Sequence, residues 1–366
     1  MSKRELRVAL LGTGFMGKAH SNAWCQAPHY YDLPWKLRRS LICGRGEAAL
    51  TAMASQWEWE EYSTDWRSAI DRKDIDAVDI CLPNHLHAPA AIAAAEAGKI
   101  ILCEKPLALS VDDARAMTRV ARGVPTLVWF NYRRVPAIAY ARQLIEEGRI
   151  GKVFHYNATY FQQWGADTSR TPSWKMDPAL AGSGVADDLL THSLDLSMYL
   201  NGRIADGVAT TRIFAPGRAV DDAISALVNF ENGSLGRFEA SRFGIGCKNR
   251  NAFSIHGSGG MLQFNLEDLN RLEFLDASDP SPEQGARNLL VTDMKHPVFP
   301  NFWRPGHIIG YEHTFIAALA EFIDCVANGK DFHPNFADAL TVHEALYALQ
   351  RSAKSRQWVP VSYEGV

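Results

Sequence analysis

The chain has 366 residues, with 38 Lys+Arg against 41 Asp+Glu and a formal net charge of −3; 47% of the residues are hydrophobic and 22% charged. That is globular composition with enough length for one large or two medium cores, and the balanced charge gives no electrostatic reason to expect nucleic-acid binding. No apolar run approaches the roughly 20 residues of a membrane helix, and Met1-Ser2-Lys3-Arg4-Glu5-Leu6 runs straight into an apolar stretch without a cleavage site, so a cytoplasmic chain is expected. Six cysteines, at 25, 43, 81, 103, 247 and 325, form no Cys-x-x-Cys pair and suggest neither a disulfide framework nor a zinc site.

Short apolar runs at Arg7–Leu11, Lys36–Ile42, Ala77–Leu82, Ile100–Cys103 and Thr126–Phe130 read as buried parallel strands. Helical stretches separate them. Ala88–Ala97 stops at Gly98, and Ser110-Val111-Asp112-Asp113 opens another helix with a capping residue and two acids before Gly123 follows its end. This alternation predicts a doubly wound parallel sheet over residues 1–130.

Residues 131–366 follow a different pattern. Pro136–Glu147 reads as a helix closed by Gly148, Lys152–Phe161 alternates as a strand, and a helix is expected near Val185–Leu200. Ala223–Phe230 and Ser234–Phe243 flank the hairpin signal Glu231-Asn232-Gly233, and Ala252–His256, Met261–Leu266 and Arg271–Leu275 continue the strands. The expected second domain is α+β, with a large, mostly antiparallel open sheet. Residues 276–311 read as a long surface loop of the kind that usually serves a function. Helices at Glu312–Asn328 and Asn335–Ser352 finish the chain.

Gly12-Thr13-Gly14-Phe15-Met16-Gly17 follows the first strand and opens a helix. The first glycine permits the tight turn, the second lets the backbone approach a pyrophosphate, and the third lets helix pack on strand; the helix N-terminus offers its N–H groups to phosphate. The expected fold of the first domain is therefore a Rossmann dinucleotide-binding domain. At the end of the second strand, Cys43-Gly44-Arg45 stands where an acid would bind a ribose 2′-hydroxyl. Without that carboxylate a 2′-phosphate is not repelled, and Arg45 is placed to pair with it or to stack on adenine, so tolerance of NADP is expected.

Ligands in open α/β sheets bind beyond the carboxyl ends of the strands. That rule points Glu104 and Lys105, in Cys103-Glu104-Lys105-Pro106, into a cleft, and makes Leu82, Pro83, Asn84 and His87 cofactor contacts unless they are only caps and turn residues. Lys105 is a candidate proton relay or hydrogen-bond donor. In Gly182-Ser183-Gly184-Val185-Ala186-Asp187-Asp188, followed by His192, helical spacing places Asp188, His192 and Asp195 on one face. A neutral His there removes a hydroxyl proton; the plainer alternative is a helix-face ion pair beside a core histidine. No third ligand of matching register supports a metal.

These motifs together resemble the Gfo/Idh/MocA family of NAD(P)-dependent oxidoreductases, which includes glucose–fructose oxidoreductase and inositol dehydrogenases, and the resemblance spans the chain. Two segments, Ala181–Gly184 and Pro305–His313, are similar to levoglucosan-dehydrogenase-like members. The resemblance implies oxidation of a ring hydroxyl of a sugar or cyclitol, with NAD preferred as the commoner family cofactor. A keto-sugar or other carbonyl or imine reductase, or a non-catalytic dinucleotide sensor, is the alternative. It implies Lys105 as the lysine at the reacting hydroxyl, His192 as acid/base and Asp188 as the acid that holds substrate and catalytic groups. Gly12, Thr13, Gly14, Phe15, Met16, Gly17, Arg45, Leu82, Pro83, Asn84, His87, Glu104 and Lys105 would then contact cofactor, and Lys105, Tyr132, Arg133, Trp174, Asp188 and His192 substrate. A homodimer or homotetramer through the second sheet is implied too. The chain departs from the family at Gly44, where many members carry the ribose acid, and at Asp187, which leaves open whether Asp187 or Asp188 faces the site.

Overall fold

The computed structural model describes residues 3–167 and 173–364. The first sheet has six strands: β1 (Glu5–Leu11), β2 (Lys36–Cys43), β3 (Glu61–Ser63), β4 (Ala77–Ile80), β5 (Ile100–Cys103) and β6 (Thr126–Val128). Their order is β3-β2-β1-β4-β5-β6 and every pairing is parallel. Helices α1 (Phe15–Tyr30), α2 (Glu47–Gln56), α3 (Arg67–Asp71), α4 (His87–Glu96) and α5 (Val111–Val120) provide the crossovers. The strand order reverses between β1 and β4, so the turns after β1, β4 and β5 gather at the switch point where such sheets bind ligands. Leu6, Val8, Leu10, Leu11 and Ile42 are wholly buried, each such side chain contributing on the order of 1.5–3 kcal/mol to folding.

The second sheet has nine strands. After α6 (Pro136–Glu146) come β7 (Val153–Phe161), α7 (Pro178–Ala181), α8 (Thr191–Asn201), β8 (Ile204–Arg212), β9 (Ala223–Phe230) and β10 (Leu235–Ser241). Then follow β11 (Arg250–Gly257), β12 (Gly260–Asn265), β13 (Arg271–Asp276), β14 (Arg287–Leu290), α9 (Tyr311–Ala327), α10 (Phe336–Ser355) and β15 (Val359–Pro360). The order is β14-β13-β12-β11-β7-β10-β9-β8-β15. Only β7 and β10 pair in parallel; every other neighbour is antiparallel. Gly233, with φ 84°, turns the expected β9–β10 hairpin. The strands alternate buried and exposed, and the open face carries the half-exposed Leu227 and Leu235.

Several elements differ from expectation. The edge strands β3, β14 and β15, and β8 beside β15, carry weak apolar signals and gain their partners only from the sheet. Residues 276–311 are not wholly a surface loop: they hold β14, and Val291 and Phe299 are fully buried. The expected α-helix near 185–200 begins as a π-helical turn, Ala186–Leu190, before α8. Such turns break the four-residue register and recur at functional sites.

Two compact units result, one of residues 1–131 with 310–340, the other of residues 132–309 with 341–365. Residues 310–340, which chain order assigns to the 131–366 segment, thus join the first sheet's unit: α9 packs along α1, and Thr314 Oγ1 accepts from Asn131 Nδ2 at 2.8 Å. Among the described residues no helix is long and apolar enough to cross a membrane.

Candidate active site

The dinucleotide half is built from backbone. Gly12 has φ +120°, and a Cβ on it would stand 2.4 Å from the Cys81 carbonyl oxygen; a Cβ on Gly17 would stand 2.2 Å from the Gly12 carbonyl. Neither position accepts a side chain. A Cβ on Gly14 would meet nothing within 4 Å, so the middle glycine faces open space on that side, and no side chain caps the α1 N-terminus it precedes. An open approach to uncapped helix N–H groups fits a dinucleotide diphosphate. Phe15 is exposed and its ring stacks 6.2 Å from Tyr311; Thr13 and Met16 are half-buried beside the turn.

The β2 end has a steric logic that the sequence did not reveal. A Cβ on Gly44 would lie 2.7 Å from Thr13 Cγ2, so a larger residue at this position requires the Thr13 side chain to shift. Arg45, next along, is exposed.

At the tips of β4 and β5, His87 is fully buried, with Nε2 2.8 Å from the Leu82 carbonyl and Nδ1 2.9 Å from the Pro106 carbonyl. It ties the two strand-end turns together; burial pushes its proton affinity down against those two carbonyls. Leu82, Pro83 and Asn84 are half-buried around it. Glu104 is buried, its main-chain N–H bonds the Ile80 carbonyl, and its Oε2 accepts from the Lys105 main-chain N–H at 3.1 Å. The Lys105–Pro106 peptide is cis.

The second unit holds a cluster of side chains. His192 is buried, its ring 4.7 Å from that of Tyr132 and 5.9 Å from that of Tyr160. Tyr160 donates to Asn249 Oδ1 at 2.9 Å, so Tyr132 supplies the proton in the 3.1 Å contact between the two phenols. Asn249 Oδ1 also accepts from Gln162, which accepts from the Trp164 indole at 2.6 Å.

The two adjacent acids separate cleanly. Asp187 turns inward and accepts from the Ser183 N–H at 2.5 Å and hydroxyl at 2.8 Å; burial pushes its carboxyl up to about 6 in spite of those bonds. Asp188 faces Lys175 Nζ at 3.2 Å and Arg242 Nη2 at 3.0 Å. Arg242 is fully buried, lies 4.9 Å above the Trp164 ring, and keeps Nε and Nη1 without a protein partner.

Asp221 fixes the start of this helix by accepting from the N–H groups of Gly184, Val185 and Ala186 at 2.7–3.0 Å. A Cβ on Gly184 would sit 2.0 Å from the Asp221 carbonyl oxygen, which explains the second glycine of that sequence pattern.

Two further expected residues take these positions. Asp195 takes Arg133 in a buried two-pronged pair at 2.6–3.1 Å, and the Arg133 guanidinium lies 5.1 Å over Tyr199. Trp174 stays partly exposed in the short turn that presents Lys175. Lys175, Arg242, Asp221, Tyr160 and Asn249 were missed as site residues. They lie 13 to 61 positions from Asp188, and no local spacing marks them.

Comparison with known proteins follows the same division. Residues 6–132 match the profile of the oxidoreductase family, NAD-binding Rossmann fold, and residues 138–263 that of the GFO/IDH/MocA C-terminal domain. Levoglucosan dehydrogenase of Pseudarthrobacter phenanthrenivorans is 37% identical over 98% of both chains, and inositol 2-dehydrogenase of Rhizobium meliloti 30% identical over 98% of this chain and 99% of its own. A solved levoglucosan dehydrogenase in complex with NADH superposes with a TM-score of 0.96 at 38% identity over 99% of this chain and 100% of that one. An oxidoreductase domain protein from Kribbella flavida does so at 0.95 and 43% over 98% and 100%. Fold, glycine turn and side-chain cluster define a dinucleotide-dependent oxidoreductase. The chain belongs to the GFO/IDH/MocA family, and its cofactor is NAD. NAD is the cofactor the resemblance implied, and use of NADP beside it is put to the activity panel below.

Proposed function

We propose that this protein oxidises a secondary ring hydroxyl of an uncharged sugar or cyclitol to a ketone. The observation that carries the reading is the second-unit cluster: His192 edged by Tyr132 and Tyr160, beside Asp188 held by Lys175 and Arg242. These groups supply a base, hydroxyl donors and a carboxylate, the set a polyol needs. The solved relative in complex with NADH and levoglucosan supports the choice of a sugar-like ring.

Gly12, Gly14, Gly17 and the α1 N-terminus would hold the NAD diphosphate, and bound NAD supplies the hydride acceptor. His192 takes the hydroxyl proton. Lys105 donates a hydrogen bond to the oxygen as negative charge develops there. Asp188 accepts a neighbouring hydroxyl and orients the ring. Trp174 offers an apolar face, while Arg133 acts through Asp195. A second copy of the chain docks on the open sheet face that carries Leu227 and Leu235, and the protein works in the cytoplasm.

The test is a panel of neutral sugars, anhydrosugars and inositols, followed at the reduced-nicotinamide absorbance with NAD and with NADP. Reduction of NAD by at least one ring polyol is expected. Lys105→Ala and His192→Ala should each lower kcat at least about 100-fold, as removal of a general acid or base does, with NAD affinity kept. Near-wild-type turnover in both variants would overturn the roles assigned to these two side chains.

A further inference from the structure

Helix α1, which begins at the glycine turn, carries His20 on its second turn, and this histidine is completely buried. Its Nδ1 lies 3.0 and 3.1 Å from the two carboxylate oxygens of Asp79, and its Nε2 lies 3.0 Å from Glu104 Oε1. The Cys81 sulfur lies 2.8 Å from the same Nδ1. Asp79 is satisfied on both oxygens by the indoles of Trp24, at 2.7 Å, and Trp129, at 3.0 Å; the Trp129 ring also packs 4.3 Å from the imidazole.

A neutral imidazole has one N–H and one lone pair, so one of its nitrogens would aim a lone pair at a carboxylate. Two carboxylates on opposite sides of one ring call for an imidazolium. Burial is the largest single influence and would drive its proton off, but the Asp79 charge together with the hydrogen bonds to Asp79 and Cys81 reverses it and holds its proton affinity well above the usual histidine range. The groups facing the ring are Asp79 and Cys81 from the β4 end and Glu104 from the β5 end, with Trp129 and Phe315 as uncharged neighbours. Burial pushes the Cys81 thiol up to about 12, so it adds no charge near neutrality. His20, Asp79 and Cys81 also have the nitrogen, oxygen and sulfur donors of a metal site, but a doubly protonated ring has no lone pair to give one.

We infer that His20 is a positioning residue: a permanent imidazolium that clamps Glu104 and, through the Glu104 bond to the Lys105 main-chain N–H, sets the lysine at the reacting hydroxyl. The clamp also joins the helix that the glycine turn opens to the tip of β5. The inference rests on the role proposed for Lys105, and it is tested by one readout that depends on that role and two that do not.

The first measurement is the ¹⁵N spectrum of histidine-labelled NAD-bound protein from pH 6 to 9, with His20 assigned by its disappearance in His20→Gln. Two protonated ring nitrogens throughout are expected. A neutral ring in that range, with the proton on Glu104 instead, overturns the inference. The second is the variant itself. His20→Gln keeps one donor and loses the charge, and should lower kcat at least 10-fold while the NAD dissociation constant, read by fluorescence titration, stays within threefold. A folded variant with kcat within threefold of wild type overturns the inference, as does a loss of NAD affinity equal to the loss of kcat. Should His20→Gln not fold, His20→Lys, which keeps a cation and loses the second ring nitrogen, carries the same kinetic reading, and its spectrum supplies the assignment. Near-wild-type turnover of Lys105→Ala would refute the lysine's role and with it the positioning inference, while the spectrum would still report the charge of His20.

Discussion

The two units build their candidate functional residues in opposite ways. In the first unit the ligand-facing parts are main chain: a glycine turn that admits no Cβ at Gly12 or Gly17, an open approach at Gly14, and strand tips locked from beneath by His87 and His20. In the second unit the equivalent parts are side chains on separate elements, held by one another: Asp188 by Lys175 and Arg242, Tyr132 by Tyr160, and Tyr160 by Asn249. A backbone site tolerates little change at a few positions. A side-chain site spreads its tolerance, so substrate range can vary within one fold while the cofactor stays fixed.

The sharpest way to break this contrast is in the glycine turn. Gly12→Ala must move the Cys81 carbonyl and hold alanine at φ +120°, a strain of about 1–3 kcal/mol. It should lower both melting temperature and NAD affinity, the latter at least tenfold by calorimetric titration. Gly14→Ala meets nothing within 4 Å, so its stability should stay within about 0.5 kcal/mol of wild type, and any penalty should appear only as a raised KM for NAD. Equal destabilisation by the two would show that the turn is not shaped as described.

A smaller effect tests the other half. Arg242→Met keeps much of the volume against Trp164, removes two unpartnered donors, and takes one of the cations from Asp188, which keeps Lys175. Breaking a fully buried pair costs about 3–5 kcal/mol; Asp188 is partly exposed and keeps one cation, so a loss of about 1–3 kcal/mol is expected by chemical denaturation. KM for the sugar should rise about tenfold and NAD affinity should not change. A variant that loses NAD affinity instead would place Arg242 in the wrong half.

The smallest effect concerns pH. Asp187 has a folded pKa of about 6, above its ordinary value of 3.8. The folded state therefore holds a proton that the unfolded state has released, and this group's contribution to stability falls as pH rises from about 4 to 6. Asp187→Asn removes that slope. The melting temperature of the variant minus that of wild type should thus become more positive between pH 4 and pH 7. A difference that is flat with pH would mean that the Ser183 bonds fully offset the burial.

How much was legible in advance follows from the same contrast. Gly12-x-Gly14-x-x-Gly17 lies after an apolar strand and before a helix, so local spacing carried its meaning, and Glu104-Lys105-Pro106 lay at a strand end that the apolar run already marked. The pair Asp187-Asp188 was ambiguous because Asp187 departs from the family pattern, and the π-helical turn that separates the two acids is marked by no α-helical spacing. The buried pair of Asp195 with Arg133 joins residues 62 positions apart, and no local spacing marks it. Edge strands such as β14 and β15 escaped notice because two to four residues carry almost no periodic signal.

By itself the sequence determined the parallel strand–helix alternation, the mostly antiparallel second sheet, the glycine turn and the family, since these depend on short-range pattern and on residues that only one backbone geometry accepts. Tertiary structure alone decided that the Thr13 side chain lies against Gly44, that Asp187 turns inward while Asp188 faces Arg242, and that His20 lies between two carboxylates. Those outcomes depend on which distant side chains share a desolvated space, where an unpaired charge is too costly to keep, and no spacing along the chain records that.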